Sequence, residues 1–137
     1  GAAWPSEIAQ RAKARSLAAE MHSGFAALRN EMPMNIRAKR HVELSEQAKK
    51  DIARIDEIFS TQQQRYPNAW LFGEISIVDA MFAPVVLRFK TYQVTLSRAA
   101  QAYCQHVFAC PVMQTWIREA LKETDIVKSD EAGENAW

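Results

Sequence analysis

The sequence contains few of the residues that break regular structure or cross-link a chain. Its 137 residues include four glycines, five prolines and two cysteines. So little glycine and proline argues against a disordered or low-complexity chain. Cys104 and Cys110 are neither a metal-binding pattern nor a Cys-x-x-Cys redox pair. We expect both to be buried thiols in a reducing compartment and predict that the protein is cytoplasmic.

Net charge and long apolar runs are also scarce. The formal charge of +1 gives no reason to expect nucleic acid or an anionic membrane as a partner. The basic run at residues 37–41 is of a length typical of a solvated loop or helix face. No apolar run approaches the roughly 20 residues that a membrane span needs, and we expect no signal peptide. The three histidines, at positions 22, 41 and 106, lack ligand spacing, which predicts no metal site.

Composition and length fit a single domain with a real core. Hydrophobic residues make up 48% of the chain and charged residues 24%, an ordinary globular balance. We expect one domain over residues 1–137, with a folded core at 4–123 and a polar tail at 124–137. The chain begins with Gly1 rather than methionine, which suggests an excised domain or a processed product.

The hydrophobic periodicity predicts an all-α bundle of five main helices. The first runs from an N-cap at Ser6 to about Met32, with Gly24 as a weak point inside it. A second is secure over Ser45–Arg65 and has a ragged start near Arg37. Two more follow the central helix: one runs from a cap at Ser97 to about Ala109, and the last begins at Cys110-Pro111.

The central helix carries the clearest start signal in the chain. Ser76 and Asp79 form the Ser-x-x-Asp version of a capping box, in which each side chain satisfies a backbone N–H at the helix start. Ile75 can pack onto Ala80 one turn inside, and Pro84 should kink the helix about two turns in. A strand over Leu71–Val78 is the alternative, because Ile75-Ser76-Ile77 alternates.

The stretch Gly73-x-x-Ser76-x-x-Asp79, followed by an apolar helix, resembles the buried central helix of the glutathione transferase C-terminal domain. The surrounding WLFGEISIVDAMFAPVV, with RFKTY after it, looks especially like the bacterial members. The resemblance covers Trp4 to about Glu123 and implies a bundle of that type. In the family, a separate N-terminal thioredoxin-like domain activates glutathione. Nothing in this chain reads as that domain, so we expect the chain alone to have little or no conjugating activity.

The first helix holds the most suggestive polar cluster: Arg15, Glu20, His22 and Ser23. Glu-Met-His-Ser-Gly-Phe at 20–25 resembles the Glu-Leu-His-Lys-Gly-Phe segment of the bacterial beta-class transferases. The resemblance implies that His22 is the catalytic partner of the glutathione thiol and that Ser23 lies beside it. It also implies that Glu20 faces the glutathione of a neighbouring subunit, and Arg15 is a further candidate glutathione contact. Ser23 departs from the family's lysine, and an exposed His22 without a role is the alternative.

The resemblance further implies an apolar substrate pocket, and Phe89 occupies the position of a pocket aromatic. Met21 and Phe25 are the other pocket candidates, and core packing is the alternative for Phe89. Arg88 is a candidate to pair with an acidic residue of the second helix, such as Asp56.

Two functions of different classes remain open. In the first, the chain is the substrate-binding and dimerisation domain of a glutathione transferase that acts on hydrophobic electrophiles. Its partners would be glutathione, the thioredoxin-like domain and a second copy of the chain. In the second, the same fold is a protein-association module without catalytic activity. A helical bundle unrelated to either is the third possibility.

Overall fold

The computed structural model describes residues 4–32 and 43–119, and within these ranges the chain is helical without a β-strand. Two isolated bridges, Trp70 to Gly73 and Phe72 to Glu74, tie the turn before the central helix. The all-α expectation is confirmed. The helices are α1 (Ile8–Ser23), α2 (Ala26–Glu31), α3 (Glu46–Arg65), α4 (Ile77–Thr91), α5 (Arg98–Ala109) and α6 (residues 111–119).

The expectation of one continuous first helix is wrong. Its N-cap is Glu7 rather than Ser6, because the Glu7 carboxylate accepts the N–H groups of Ala9 and Gln10 at 3.1 and 2.8 Å. At the other end α1 stops at Gly24, which is extended (φ −106°, ψ −171°). Phe25 then takes the left-handed conformation with φ 60° before α2 begins. The predicted weak point is therefore a break.

We expect Gly24→Ala to lower the free energy of unfolding by about 1–2 kcal/mol. A Cβ at this position would lie 2.7 Å from the backbone oxygen of Glu20, so the end of α1 would have to shift. In a continuous helix the same substitution would stabilise the protein by about 1 kcal/mol. Urea denaturation shows whether the free energy of unfolding falls, as expected at a break, or rises, as expected in a continuous helix. Ser16→Ala, at an exposed position of α1, is the control and should change stability by less than about 0.5 kcal/mol.

The predicted start of the central helix is confirmed. Ser76 is the N-cap of α4, and it forms a capping box with Asp79. The strand alternative over Leu71–Val78 is wrong, because α4 already begins at Ile77. Pro84 lies inside the helix as expected. Because α4 packs between α1 and α5, its apolar residues face helices on more than one side.

Asp79 is fully buried at the junction of three segments. Its Oδ1 accepts the N–H of Leu71 at 3.1 Å and the hydroxyl of Tyr103 at 2.7 Å. Its Oδ2 accepts the N–H of Ser76 at 2.9 Å and the Ser76 hydroxyl at 3.4 Å. Burial raises the pKa of Asp79, although these four donors favour the charged form. This single carboxylate thus connects the turn that contains Leu71, the start of α4, and Tyr103 in the middle of α5.

The core is centred on the Phe59 ring of α3. It contacts the Phe82, Phe89 and Tyr103 rings, with centroids 5.5, 6.4 and 4.6 Å away. Such tilted and edge-on pairs add about 0.5–1.5 kcal/mol each to the burial of the rings. An apolar stripe at helical spacing, divided between α1, the break and α2, is also buried: Met21, Phe25, Leu28 and Met32.

Starts predicted for the other helices are confirmed where the structure describes them. The Ser45 hydroxyl accepts the N–H of Ala48 at 3.1 Å at the start of α3. Ser97 caps α5 in the same way through the N–H of Ala100 at 3.3 Å. Cys110 is extended, and its carbonyl accepts the first bond of α6. The ragged start near Arg37, the basic run at 37–41 and the tail lie outside the described residues.

The suggested pair between Arg88 and Asp56 is wrong. Asp56 instead accepts the N–H and the hydroxyl of Ser97, at 2.7 and 2.6 Å, and thereby ties α3 to the start of α5. Arg88 donates its Nε to the carbonyl of Met32 at 2.8 Å, at the end of α2. Burial lowers the pKa of Arg88 to about 10. Among the described helices, none is long and apolar enough to cross a membrane.

Candidate functional site

The last turn of α1 exposes His22 and Ser23 to solvent. The Ser23 hydroxyl donates to the carbonyl of Ala19 at 2.8 Å, a bond within the helix. No side chain of the described residues hydrogen-bonds the His22 imidazole. Since α1 stops directly after Ser23, both side chains stand beside a helix end rather than on the flank of a long helix. The imidazole is therefore exposed and keeps its hydrogen-bonding capacity with respect to the residues that the structure describes.

Glu20 is held within the chain by α3. Its carboxylate oxygens accept Nε and Nη2 of Arg54 at 2.7 and 2.9 Å, a two-point ion pair. Arg54 also donates Nη1 to Glu57 at 2.5 Å. The hydrogen bonds from Arg54 lower the pKa of Glu20, so it stays ionised. If Glu20 contacts a ligand of another subunit, its carboxylate binds that ligand and Arg54 at the same time.

Arg15 lies two turns before His22 on α1. Its guanidinium carbon is 5.6 Å from the centre of the Trp4 ring, a distance at which a cation is attracted to an aromatic face. The contact fixes the segment before α1 against the helix. Arg15 remains exposed and seven residues from His22, so one side of α1 carries both.

The three candidates for an apolar pocket are all buried. Met21 and Phe25 are each 7% exposed and belong to the core. Phe89 is 3% exposed, and it lines a groove of about 400 Å³ between α4 and α5. None of the residues that line this groove comes from α1, so the groove does not join Phe89 to His22. The pocket roles of these three residues stay predictions.

Sequence reasoning missed a second cavity, at the start of α1. It has a volume of about 350 Å³, and Trp4, Tyr66, Phe72 and Gln10 are among its lining residues. Gly73, which also lines it, has φ 91° and lies against Tyr66: a Cβ there would be 3.4 Å from the Tyr66 ring. The only sequence signal was the run of aromatic residues before Gly73, which does not reveal that the N-terminal segment packs nearby.

The thiols and possible metal ligands add no reactive centre to the part of the chain that is described. Burial raises the pKa of Cys104 to about 12, which keeps this thiol neutral and weakly nucleophilic at physiological pH. Cys110 is half-buried, and both cysteines are free. Within residues 4–32 and 43–119, no three His, Cys, Asp or Glu side chains are grouped as metal ligands.

Comparison with known proteins does not identify a family. A scan against protein-family models finds none that matches the chain, and a search of curated proteins finds no match. The local geometry at the end of α1 and at the start of α4 therefore carries the functional argument.

Proposed function

We propose that this chain is the helical, substrate-binding and dimerisation domain of a bacterial glutathione transferase that conjugates glutathione to hydrophobic electrophiles. The observation that carries the proposal is the exposed His22 imidazole, which stands at the end of α1 within the segment that resembles the beta-class motif. The capping box at Ser76 and Asp79 supports it, because the second resembling segment surrounds that box.

In this proposal the chemistry is divided between two domains. A thioredoxin-like domain supplies the group that lowers the pKa of the glutathione thiol, since the thiolate is the nucleophile. His22 reaches the same sulfur from the helical side, where an imidazole can donate a hydrogen bond to the thiolate. Ser23, at the end of α1, and Arg15, two turns earlier on the exposed side of the helix, contact the tripeptide in this proposal. The thiolate then attacks the electrophile, and the leaving group departs with the bonding electron pair.

Glu20 fits a role at a subunit boundary in this proposal. It is partly exposed on α1 and is held in a fixed orientation by the two bonds from Arg54. A carboxylate fixed in this way can accept a hydrogen bond from the ammonium group of glutathione in a second copy of the chain. We propose a homodimer in the cytoplasm as the working form, without a metal.

The proposal predicts that the full-length gene product conjugates glutathione to an aryl halide and that His22→Ala lowers kcat/KM at least tenfold. A charge-assisted hydrogen bond of about 1.5 kcal/mol corresponds to such a factor. Ser16→Ala, on the same helix, is the matched control and should keep full activity. The 137-residue chain alone should show little or no turnover. Wild-type activity in the His22 variant would remove the imidazole from the site, while full turnover by the isolated chain would refute the division between domains.

A second function, protein association, is favoured by one observation on α6. Val112 and Trp116 are four residues apart, so they share a side of the helix, and they are 48% and 42% exposed. Exposed large apolar side chains of this kind are common at interfaces. If the full-length protein neither binds glutathione nor conjugates it, association becomes the better account of the fold.

A further inference from the structure

The groove that contains Phe89 has the size and shape of a small-molecule site. Its volume of about 400 Å³ falls in the range of ligand pockets, which is about 300–1,000 Å³. It is lined by Val86, Phe89 and Lys90 of α4, by Gln93, Val94 and Leu96 of the connection after α4, and by positions 101, 104, 105 and 108 of α5. The α5 positions follow the spacing of one helix face, so this wall of the groove is about 10 Å long. We call this cavity the α4–α5 groove.

The lining combines apolar side chains with uncharged amides and a single formal charge. Aromatic and aliphatic side chains form half of the lining, and the neutral thiol of Cys104 adds to this apolar surface. The polar groups are three glutamine amides and the ammonium of Lys90, and no aspartate or glutamate is among the lining residues. An apolar ligand with one negative charge is complementary to this lining.

The charge lies at one end of the groove. Lys90 Nζ is 4.4 Å from the centre of the Phe108 ring. Phe108 is ten residues beyond the start of α5 at Arg98, which is about 15 Å along the helix axis. Leu96, directly before the N-cap of α5, lines the opposite end, whereas Val94 stays close to Lys90 because its N–H bonds the carbonyl of Phe89 at 3.0 Å. The groove is therefore cationic at one end and uncharged at the other.

From this polarity we infer that the α4–α5 groove binds a medium-chain carboxylate, with its carboxylate at Lys90 and its alkyl chain along the α5 wall toward Leu96. An eight-carbon chain is close to the length of the α5 wall, and a carboxylate accepts charge-assisted hydrogen bonds from an ammonium. The Lys90 side chain is already held over the Phe108 ring, so it loses less conformational entropy when it binds the anion.

The groove is separate from the end of α1, so this inference goes beyond the proposed conjugation. Val86 and Lys90 are each two positions from Arg88 and therefore lie on nearly the opposite face of α4. Arg88 bonds the carbonyl of Met32, at the end of α2. The groove thus opens on the side of α4 that faces away from the end of α2, and its occupancy does not require His22.

Calorimetric titration of the 137-residue chain with octanoate, and separately with 1-octanol, tests the inference. We expect octanoate to bind at millimolar concentration or below and Lys90→Gln to weaken it at least fivefold. The same substitution should change 1-octanol binding less than twofold, because the apolar walls are intact. Lys50→Gln, at an exposed position of α3, is the charge-matched control and should leave both ligands unaffected.

A second variant tests the position of the ligand. Gln105→Trp places a large side chain at the lining of the groove from an exposed position, so circular dichroism should show an intact fold. It should weaken octanoate and 1-octanol alike by more than tenfold. Absence of octanoate binding to the wild-type chain would overturn the inference. So would octanoate binding that both Lys90→Gln and Gln105→Trp leave unchanged, or an equal loss of both ligands in Lys90→Gln.

Discussion

Asp79→Ala is expected to lower the free energy of unfolding by roughly 3–5 kcal/mol, the largest effect of a single substitution that we predict. The substitution removes the acceptor of two backbone N–H groups, those of Leu71 and Ser76, and of the Tyr103 hydroxyl. Asp79 is fully buried, so water does not replace the lost acceptor without opening the structure. Urea denaturation followed by circular dichroism measures the loss.

Two further variants separate the parts of this network. Asp79→Asn keeps the volume but turns an NH₂ group toward one pair of donors, so we expect most of the loss to remain. Tyr103→Phe removes one donor and should cost about 1–2 kcal/mol. A change below about 1 kcal/mol for Asp79→Ala would mean that the carboxylate does not hold these segments together.

The sign of the pH dependence follows from the raised pKa of Asp79. The folded state keeps the Asp79 proton at pH values above 3.8, where the unfolded chain has already lost it. Ionisation of Asp79 therefore lowers stability as pH rises through that window. Other carboxyl groups, such as Glu20, have lowered pKa values and act in the opposite direction. The difference between wild type and Asp79→Asn, measured across pH, isolates the contribution of Asp79.

Asp51→Ala should cost roughly 2–3 kcal/mol through the loss of a cap that one helix provides to another. Asp51 lies on α3, is 7% exposed, and accepts the N–H of Leu28 in α2 at 3.1 Å. The residue at the N-cap of α2, Phe25, offers no side-chain acceptor. Without Asp51 the buried N–H of Leu28 has no other side-chain acceptor at this helix start.

Asparagine at the same position tests whether the cap or the charge matters. Asp51→Asn keeps one side-chain oxygen for Leu28, so its loss should be clearly smaller than that of Asp51→Ala. Thermal and urea unfolding of both variants provide the comparison. Equal losses would contradict the capping role and attribute the effect to the charge of Asp51.

What the sequence predicted well depends on neighbours along the chain. The capping box needs only Ser76 and Asp79, three residues apart, and a helix start at Ser97 needs only its own hydroxyl. The break between α1 and α2 was missed because a glycine such as Gly24, within a helical pattern, is compatible with both a weak helix and a helix end. The break is stabilised in part by the hydrogen bond from the Leu28 N–H to Asp51, and because Asp51 is 23 residues away, no local sequence pattern reveals this bond.

The candidate site shows the same limit. A helical period separates Met21 from His22 by about 100°, so Met21 is buried in the core and His22 is exposed. The partners of Glu20 and Asp56 were not predictable, because Arg54 and Ser97 are 34 and 41 residues away from them. The α4–α5 groove was hidden for a similar reason: its walls belong to different helices, and only their packing creates the space.

The carboxylate of Asp79 also divides the folding of α4 into two stages. Its bonds to Ser76 are local, so they can form as soon as the first turn of the helix does. The bond to Tyr103 spans 24 residues and needs the arrival of α5. Closing that longer loop costs chain entropy before the contact returns any stability, so it belongs late on the folding pathway. The helix start is therefore nucleated by its own sequence and locked only when the bundle is complete.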